Sequence, residues 1–193
     1  MSVRRLAPKE LQPASFAFTE ENLAWAKQQI TKYPEGRQAS ACIAILWRAQ
    51  EQNAGWVSEA AIRVVADMLD MAYIRVYEIA TFYTMFQLKP KGRYLLQVCT
   101  TTPCWLRGSD AVMKACQHAA DGDVFSVQEV ECLGACVNAP VVQINDDFYE
   151  DLDEASINKV LDAFRRGETP KPGPQIDRQT SGPEGGLTTL KGE

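Results

Sequence analysis

The stretch "GRYLLQVCTTTPCWLRG", residues 92–108, decides the fold of the second half of this 193-residue chain. The first eight residues of this stretch, 92–99, are rich in aliphatic and aromatic side chains and end at Cys99, which predicts a short β-strand. Gly108 and Ser109 open a second segment, in which apolar residues recur at helical spacing over 110–120. A strand that leads through a short loop into such a helix predicts a small sheet covered by helices.

The residues that follow extend this pattern. "VFSVQEVEC" (124–132), "PVVQIN" (140–145) and "FYEDL" (148–152) read as three more strands, with a hairpin turn over 145–147. Asp153 is placed to cap a final helix. The predicted inward-facing residues of that helix are Ile157, Val160, Leu161 and Phe164. Residues 89–168 are therefore predicted to form one domain with the order β-α-β-β-β-α.

Residues 1–88 have the pattern of a helical bundle. Thr19 and Ser58 stand where side chains cap the first and third of four predicted helices. The predicted inward faces are Leu23, Ala26, Ile30 and Tyr33, then Cys42, Ile45, Leu46 and Ala49, then Ile62, Val65, Ala66 and Leu69, and last Ile74, Tyr77, Ala80 and Thr81. A helical domain followed by a mixed sheet domain gives an α+β fold class.

Residues 169–193 are rich in proline and glycine and poor in apolar side chains. Such a segment buries too little apolar surface to offset the entropy of ordering. We expect these residues to form a tail that is disordered in the isolated chain, or that lies extended across a partner.

The bulk composition excludes several classes of protein. The net charge of −5 and the pI of 5.1 argue against a nucleic-acid-binding surface, which needs clustered Lys and Arg. No apolar run approaches the 18–20 residues of a spanning helix, so we expect no direct membrane insertion. The N-terminal "MSVRRLAPKELQPASF" lacks the apolar core of a secretory signal. We therefore expect a reducing, intracellular compartment, where patterned cysteines act as metal ligands or redox groups.

Four cysteines form two spaced pairs. Cys99 and Cys104 have four residues between them, and Cys132 and Cys136 have three. We expect Cys99 and Cys132 to end strands, and the other two to lie in the following loops, so that all four thiols meet at one end of the sheet. A [2Fe–2S] cluster needs two thiolates for each iron, and two separate pairs serve that geometry. Structural zinc, a redox dithiol and a disulfide remain open from the spacing, and zinc is preferred over thiol chemistry.

Two longer stretches resemble a known family. "CTTTPCWLRG" (99–108) and "VECLGACVNAPVVQINDDFYEDL" (130–152) closely resemble the thioredoxin-like [2Fe–2S] ferredoxin subunit of respiratory complex I, the NADH:quinone oxidoreductase. "GWVSEAAIRVVADMLDMAYIRVYEIATFYTMF" (55–86) resembles the N-terminal helical domain of the same subunit. The resemblance covers roughly residues 15–165. It implies a thioredoxin-like α/β fold for 89–168 and a docking role for the helical domain.

The resemblance also implies a site and partners. The four carried-over cluster ligands are Cys99, Cys104, Cys132 and Cys136. A partner flavoprotein subunit would bind FMN and NADH, since this chain has no glycine-rich dinucleotide fingerprint, and a large iron–sulfur subunit of the peripheral arm would lie beside it. The location implied is the cytoplasmic side of the bacterial inner membrane, or the matrix side in a mitochondrion. From the family's fold we also hypothesise a cis Ala139–Pro140 peptide.

The function expected is therefore that of an electron-transfer subunit that is not a catalyst by itself. Three alternatives remain at this stage. One is the equivalent subunit of an NAD-reducing hydrogenase or formate dehydrogenase; another is a zinc-stabilised interaction module; the third is a thiol oxidoreductase. Cys42 and Cys116 are expected to be core residues, and the single histidine, His118, to lie at the surface.

Overall fold

The structure is a computed structural model that describes residues 4–186, 188 and 189 of the chain. The chain divides after Pro90 into two compact units. The first is helical, and the second is a mixed sheet with helices. This α+β architecture confirms the predicted fold class. Among the described residues, none of the helices has the length and apolar character that a bilayer crossing requires.

Four helices build the first unit. They are α1 (Glu20–Ile30), α2 (Cys42–Gln52), α3 (Glu59–Leu69) and α4 (Tyr73–Phe82). The hydroxyl of Thr19 accepts a hydrogen bond from the Asn22 amide at 3.2 Å, and that of Ser58 accepts one from the Ala61 amide at 3.2 Å. Both caps therefore satisfy an amide that the first turn of a helix leaves without a partner, as the sequence predicts.

The core of the first unit is built mainly from the facing sides of α2 and α3. All eight residues predicted to face inward from these helices are buried: Cys42, Ile45, Leu46, Ala49, Ile62, Val65, Ala66 and Leu69. The spacing of apolar residues identified both faces, although α2 also carries Ile43 and Trp47 away from its buried side.

For two residues of the first unit, the prediction that the side chain faces inward is wrong. Ile74 is 53% exposed, and α4 instead buries Val76 and Ala80. Apolar residues occupy several faces of α4, so their spacing does not select one face and tertiary packing decides. Tyr33 lies beyond the end of α1 and is exposed, because the helix stops at Ile30 before Pro34.

A five-stranded sheet forms the centre of the second unit. Its strands are β1 (Tyr94–Cys99), β2 (Phe125–Val130), β3 (Val142–Ile144), β4 (Asp147–Glu150) and β5 (Gly173–Pro174). Their order across the sheet is β2-β1-β3-β4-β5. The pairs β1–β2 and β4–β5 are parallel, and the pairs β1–β3 and β3–β4 are antiparallel. The parallel pairing of β1 with β2 brings the ends of both strands to the same edge of the sheet.

Three helices accompany the sheet, namely α5 (Thr102–Leu106), α6 (Ser109–Ala119) and α7 (Glu154–Arg165). The apolar stripe of α6 (Val112, Cys116 and Ala119) and the predicted inward face of α7 are buried in one core with Leu96 and Val98 of β1. Asp153 caps α7 as predicted, and the cap is reciprocal. Its carboxylate accepts from the Ser156 amide at 2.7 Å, while the Ser156 hydroxyl accepts from the Asp153 amide at 2.8 Å.

Part of the proline- and glycine-rich tail packs on its own chain. Gly173 and Pro174 pair with Tyr149 and Glu150 of β4, and the Gln175 amide donates to the Glu150 carbonyl at 2.9 Å. The composition of the tail did not predict this contact. Residues 187 and 190–193 of the predicted tail lie outside the described residues.

Candidate metal centre

Cys99 and Cys104 form a buried pair, here called the inner pair. Cys99 is the last residue of β1 and Cys104 lies in α5, and neither exposes more than 2% of its surface. The two thiols are hydrogen-bonded to each other. Cys104 was predicted to lie in a loop, but it lies in the short helix α5. Pro103 favours a helix start at this position, because the first turn of a helix tolerates a residue without a backbone N–H group.

Cys132 and Cys136 form an exposed pair, here called the outer pair. Their Sγ atoms lie 3.4 Å apart. The prediction that Cys132 ends a strand is wrong by two residues, because β2 ends at Val130; Cys136 opens a single 3₁₀ turn. Between them, Gly134 has a φ of +82°, and its amide donates to the Cys132 sulfur at 3.3 Å. A glycine is favoured there because other residues rarely adopt this left-handed conformation.

The two pairs meet at one edge of the sheet. The backbone amide of Leu133, which follows Cys132, donates to the Cys99 thiol, and the amide of Val141 donates to the Cys104 thiol. The Cys99 amide in turn donates to the Val141 carbonyl at 3.2 Å. Leu133, Ala139 and Val141 therefore lie against the inner pair, and the charge interactions of Cys136 with Cys99 and Cys104 place the outer pair near it.

Hydrogen bonds set the ionisation of the inner pair. Burial opposes ionisation of Cys99, but donation from the Thr101 hydroxyl and the Leu133 amide outweighs it, so the pKa of Cys99 lies below its ordinary value. Burial, and then the hydrogen bond with Cys99, raises the pKa of Cys104 to about 12. A metal cation bound to this pair would displace the protons that both thiols carry in the metal-free chain.

The hydrogen bond with the Cys132 thiol is the main reason that the pKa of Cys136 lies above its ordinary value. Cys42 and Cys116 differ from both pairs, because burial alone raises their pKa values, to about 11 and about 12. Both are buried in the cores, as predicted, and the exposed His118 also lies apart from the site.

The donor set fits a binuclear centre. Within the part of the chain that the structure describes, no three His, Cys, Asp or Glu side chains converge on a point that would hold a single metal ion. What the structure shows is two close thiol pairs, each supplied with backbone amides directed at sulfur. Four cysteine sulfurs in two pairs, with amide donors, are the donor set of a [2Fe–2S] cluster with one pair on each iron.

Some contributors to the site were not singled out from the sequence. The Thr101 hydroxyl lies 3.1 Å from the Cys99 sulfur, and its place in the polar "TTTP" loop was the available signal. The Val141 amide carries no side-chain signal at all. The Ala139–Pro140 peptide is cis, which confirms the hypothesis made for it.

Comparison with known proteins gives the family and the relatives of the chain. The family model described as thioredoxin-like [2Fe-2S] ferredoxin matches residues 26–165. The chain is 55% identical over 202 residues to an NADH-quinone oxidoreductase subunit of Rhizobium meliloti (strain 1021), covering 99% of this chain and 73% of that protein. It is 53% identical over 158 residues to the corresponding NADH-quinone oxidoreductase subunit of Rickettsia prowazekii (strain Madrid E), covering 78% of this chain and 89% of that protein.

A solved structure shows a similar fold. It is a chain of an NAD+-reducing [NiFe]-hydrogenase in the H2-reduced state, with a TM-score of 0.53 and 22% identity. The likeness covers 63% of this chain and 22% of that one. At this identity the likeness concerns the fold alone.

Proposed function

The chain belongs to the thioredoxin-like [2Fe–2S] ferredoxin family, and from this premise we propose that it is the electron-transfer iron–sulfur subunit of an NADH:quinone oxidoreductase. It is one component of a multi-subunit oxidoreductase and not a catalyst by itself. The observation that carries the proposal is the meeting of the inner and outer thiol pairs at one sheet edge. Identity of 55% over nearly the whole chain to an NADH-quinone oxidoreductase subunit supports the choice of complex.

The proposed ligands are Cys99 and Cys104 on one iron and Cys132 and Cys136 on the other. When bound, the cluster supplies a carrier that accepts and releases one electron. The chain's own residues hold it and set its potential. Burial of the inner pair excludes water on one side. The Thr101 hydroxyl and the amides of Leu133, Gly134 and Val141 donate to sulfur, which stabilises the additional negative charge of the reduced state.

The proposed partners follow from the same premise. A flavoprotein subunit that binds FMN and NADH exchanges the electron with the cluster of this chain. A large iron–sulfur subunit of the peripheral arm lies beside this chain, and the whole arm lies on the cytoplasmic side of the bacterial inner membrane. The hydrogenase-type alternative rests on fold likeness alone. Affinity purification of the tagged chain from its native cells distinguishes the two. Capture of an NADH-oxidising flavoprotein without nickel supports the proposal, and capture of a nickel-containing hydrogenase contradicts it.

The ligand set has a direct test in a pair of cysteine variants. The anaerobically reconstituted chain should hold about two irons and two acid-labile sulfides. We expect Cys132→Ser to abolish or strongly alter the electron paramagnetic resonance signal of the reduced cluster, since it replaces a thiolate ligand. Cys116→Ser is the control because Cys116 is buried among core side chains, and it should leave the signal nearly intact. Equal loss in both variants, or one zinc and no labile sulfide in the wild type, would contradict the ligand set.

A further inference from the structure

The tail beyond α7 reaches the loop that carries the outer pair. Pairing of β5 with β4 directs the chain towards Asp151, so that Arg178 reaches the segment that follows Cys136. The guanidinium forms an ion pair with Asp151 at 3.0 Å, with only 7% of the arginine side chain and 2% of the aspartate side chain exposed. Arg178 lies outside residues 26–165, the part that the family model matches. The family model therefore assigns it no role.

Arg178 holds the two residues directly after Cys136. Its Nη1 atom donates to the Val137 carbonyl at 3.1 Å and to the Asn138 side-chain oxygen at 2.8 Å. The Asp151 amide donates to the Asn138 carbonyl at 2.7 Å, which closes the network around this short segment.

Asn138 joins the same network from its other side. Its side-chain amide donates to the Glu150 carboxylate at 2.6 Å and to the Thr180 carbonyl at 3.0 Å. The loop that carries the outer pair packs through Leu133 and Ala135 alone, since Cys132, Gly134, Cys136 and Val137 are exposed. Polar contacts from the tail and β4 therefore add to the limited apolar packing of this loop.

The network is poorly explained as a device for stability. Removing a guanidinium and a carboxylate from water costs free energy that their attraction only partly returns. Among the described residues, the Nε atom of Arg178 also lacks a hydrogen-bond partner although it is buried. The buried Arg178–Asp151 pair does, however, hold the backbone of Val137 and Asn138 in one conformation, and its two opposite charges cancel.

We propose, on the basis of the proposed function, that Arg178 is a positioning residue for the outer pair: together with Asp151 it fixes the Val137–Asn138 backbone and balances the charge beside the outer iron. Loss of the arginine leaves a buried carboxylate near the cluster, which disfavours the more negative reduced state. Loss of the carboxylate leaves a buried cation, which favours it. The two halves of the pair therefore shift the midpoint potential in opposite directions.

Redox titration of three variants in the full reconstituted chain tests this. At fixed ambient potential near the wild-type midpoint, Arg178→Gln should lower the reduced-to-oxidised ratio up to about tenfold, or about 59 mV for one electron. Asp151→Asn should raise the ratio, and asparagine tolerates the φ of +51° at this position. The double variant should return towards the wild-type potential. Arg166→Gln, which breaks the exposed Arg166–Glu168 pair at 2.8 Å, is the control and should leave the ratio unchanged.

A second readout keeps the test valid if Arg178→Gln fails to fold. Arg178→Lys keeps the positive charge but loses the planar fork, so we expect an unchanged midpoint and faster release of iron to a chelator. Shifts of the same sign in Arg178→Gln and Asp151→Asn, or wild-type potential and iron release in all variants, would overturn the positioning role. Absence of a [2Fe–2S] signal in the wild-type chain would instead contradict the proposed function.

Discussion

Individual residues of the site differ in how visible they are in the sequence. The four cysteines were identified because two spaced thiol pairs match the donor requirement of a binuclear centre. The backbone amide of Val141 was not, since any residue carries an amide and only the fold directs it at a sulfur. Arg178 was missed for a related reason, because an arginine in a proline- and glycine-rich tail resembles a solvated surface residue.

Gly134 offers a prediction at this scale. Gly134→Ala should lower the free energy of unfolding by about 1–2 kcal/mol, because a Cβ disfavours the left-handed conformation at φ +82°. No heavy atom lies within 4 Å of the position that this Cβ would take, so the cost is conformational and not steric crowding. The same change should speed iron release to a chelator, since the strained loop carries the outer pair. Urea unfolding and chelator kinetics measure the two effects.

Gly122 supplies the matched control. It has a φ of +83° and equally open surroundings, but it lies in the turn before β2, away from the cysteines. Gly122→Ala should cost similar unfolding free energy and leave iron release unchanged. Equal acceleration in both variants would show that Gly134 acts only through global stability.

Secondary-structure elements were predictable where apolar spacing and capping agreed. Helices α2, α3, α6 and α7 each have one apolar face, and capping side chains precede α3 and α7. Helix α4 has neither a capping side chain nor a single apolar face; Ala80 is buried as predicted, but Ile74 is exposed and Val76 is buried in its place. Helix α5 was missed because five residues are too few for periodicity, although Pro103 indicated a helix start.

The cap of α7 yields a prediction with a pH dependence. Asp153→Ala should lower the free energy of unfolding by about 1 kcal/mol at pH 7. The Ser156 amide, and then its hydroxyl, donate to the Asp153 carboxylate and hold its pKa below the ordinary value. The ionised carboxylate therefore stabilises the folded state above the unfolded pKa of about 3.9, and this contribution is lost as the pH falls through the lower folded pKa.

Urea unfolding between pH 7 and pH 3, followed by circular dichroism, measures this effect. The difference in the free energy of unfolding between wild type and Asp153→Ala should be constant near neutrality and should become smaller below pH 4. Asp162→Ala is the control, since Asp162 lies on the exposed side of α7 in a loose pair with Arg165 at 3.7 Å. If the difference in the free energy of unfolding grew as the pH fell, the claim that the ionised Asp153 carboxylate stabilises the folded state would be contradicted.

At the scale of the molecule, a helical unit followed by a sheet unit could be expected from the change in periodicity near residue 90. Each unit has its own hydrophobic core. The contact of the tail with β4 could not be expected, because a two-residue strand depends on the neighbouring edge and not on its own apolar content. Composition alone describes such a segment as disordered.

Separate cores lead to a prediction for fragments. The fragment 91–193 contains the four proposed ligands and the second core, so we expect it to fold alone and give the reduced-cluster signal after reconstitution. The fragment 1–90 should be helical by circular dichroism and should bind no iron. A fragment 91–193 that unfolds, or that retains no labile sulfide, would show that the cluster site requires the helical unit.

The unequal exposure of the two thiol pairs has a consequence for chemical damage. With the inner pair shielded by Ala139 and Val141 and the outer pair open to solvent, a diffusing oxidant reaches only one side of the centre. If the four cysteines hold the cluster as proposed, oxidative damage would begin at the iron that Cys132 and Cys136 hold, on the solvent side, and not at the iron that the buried Cys99 and Cys104 hold.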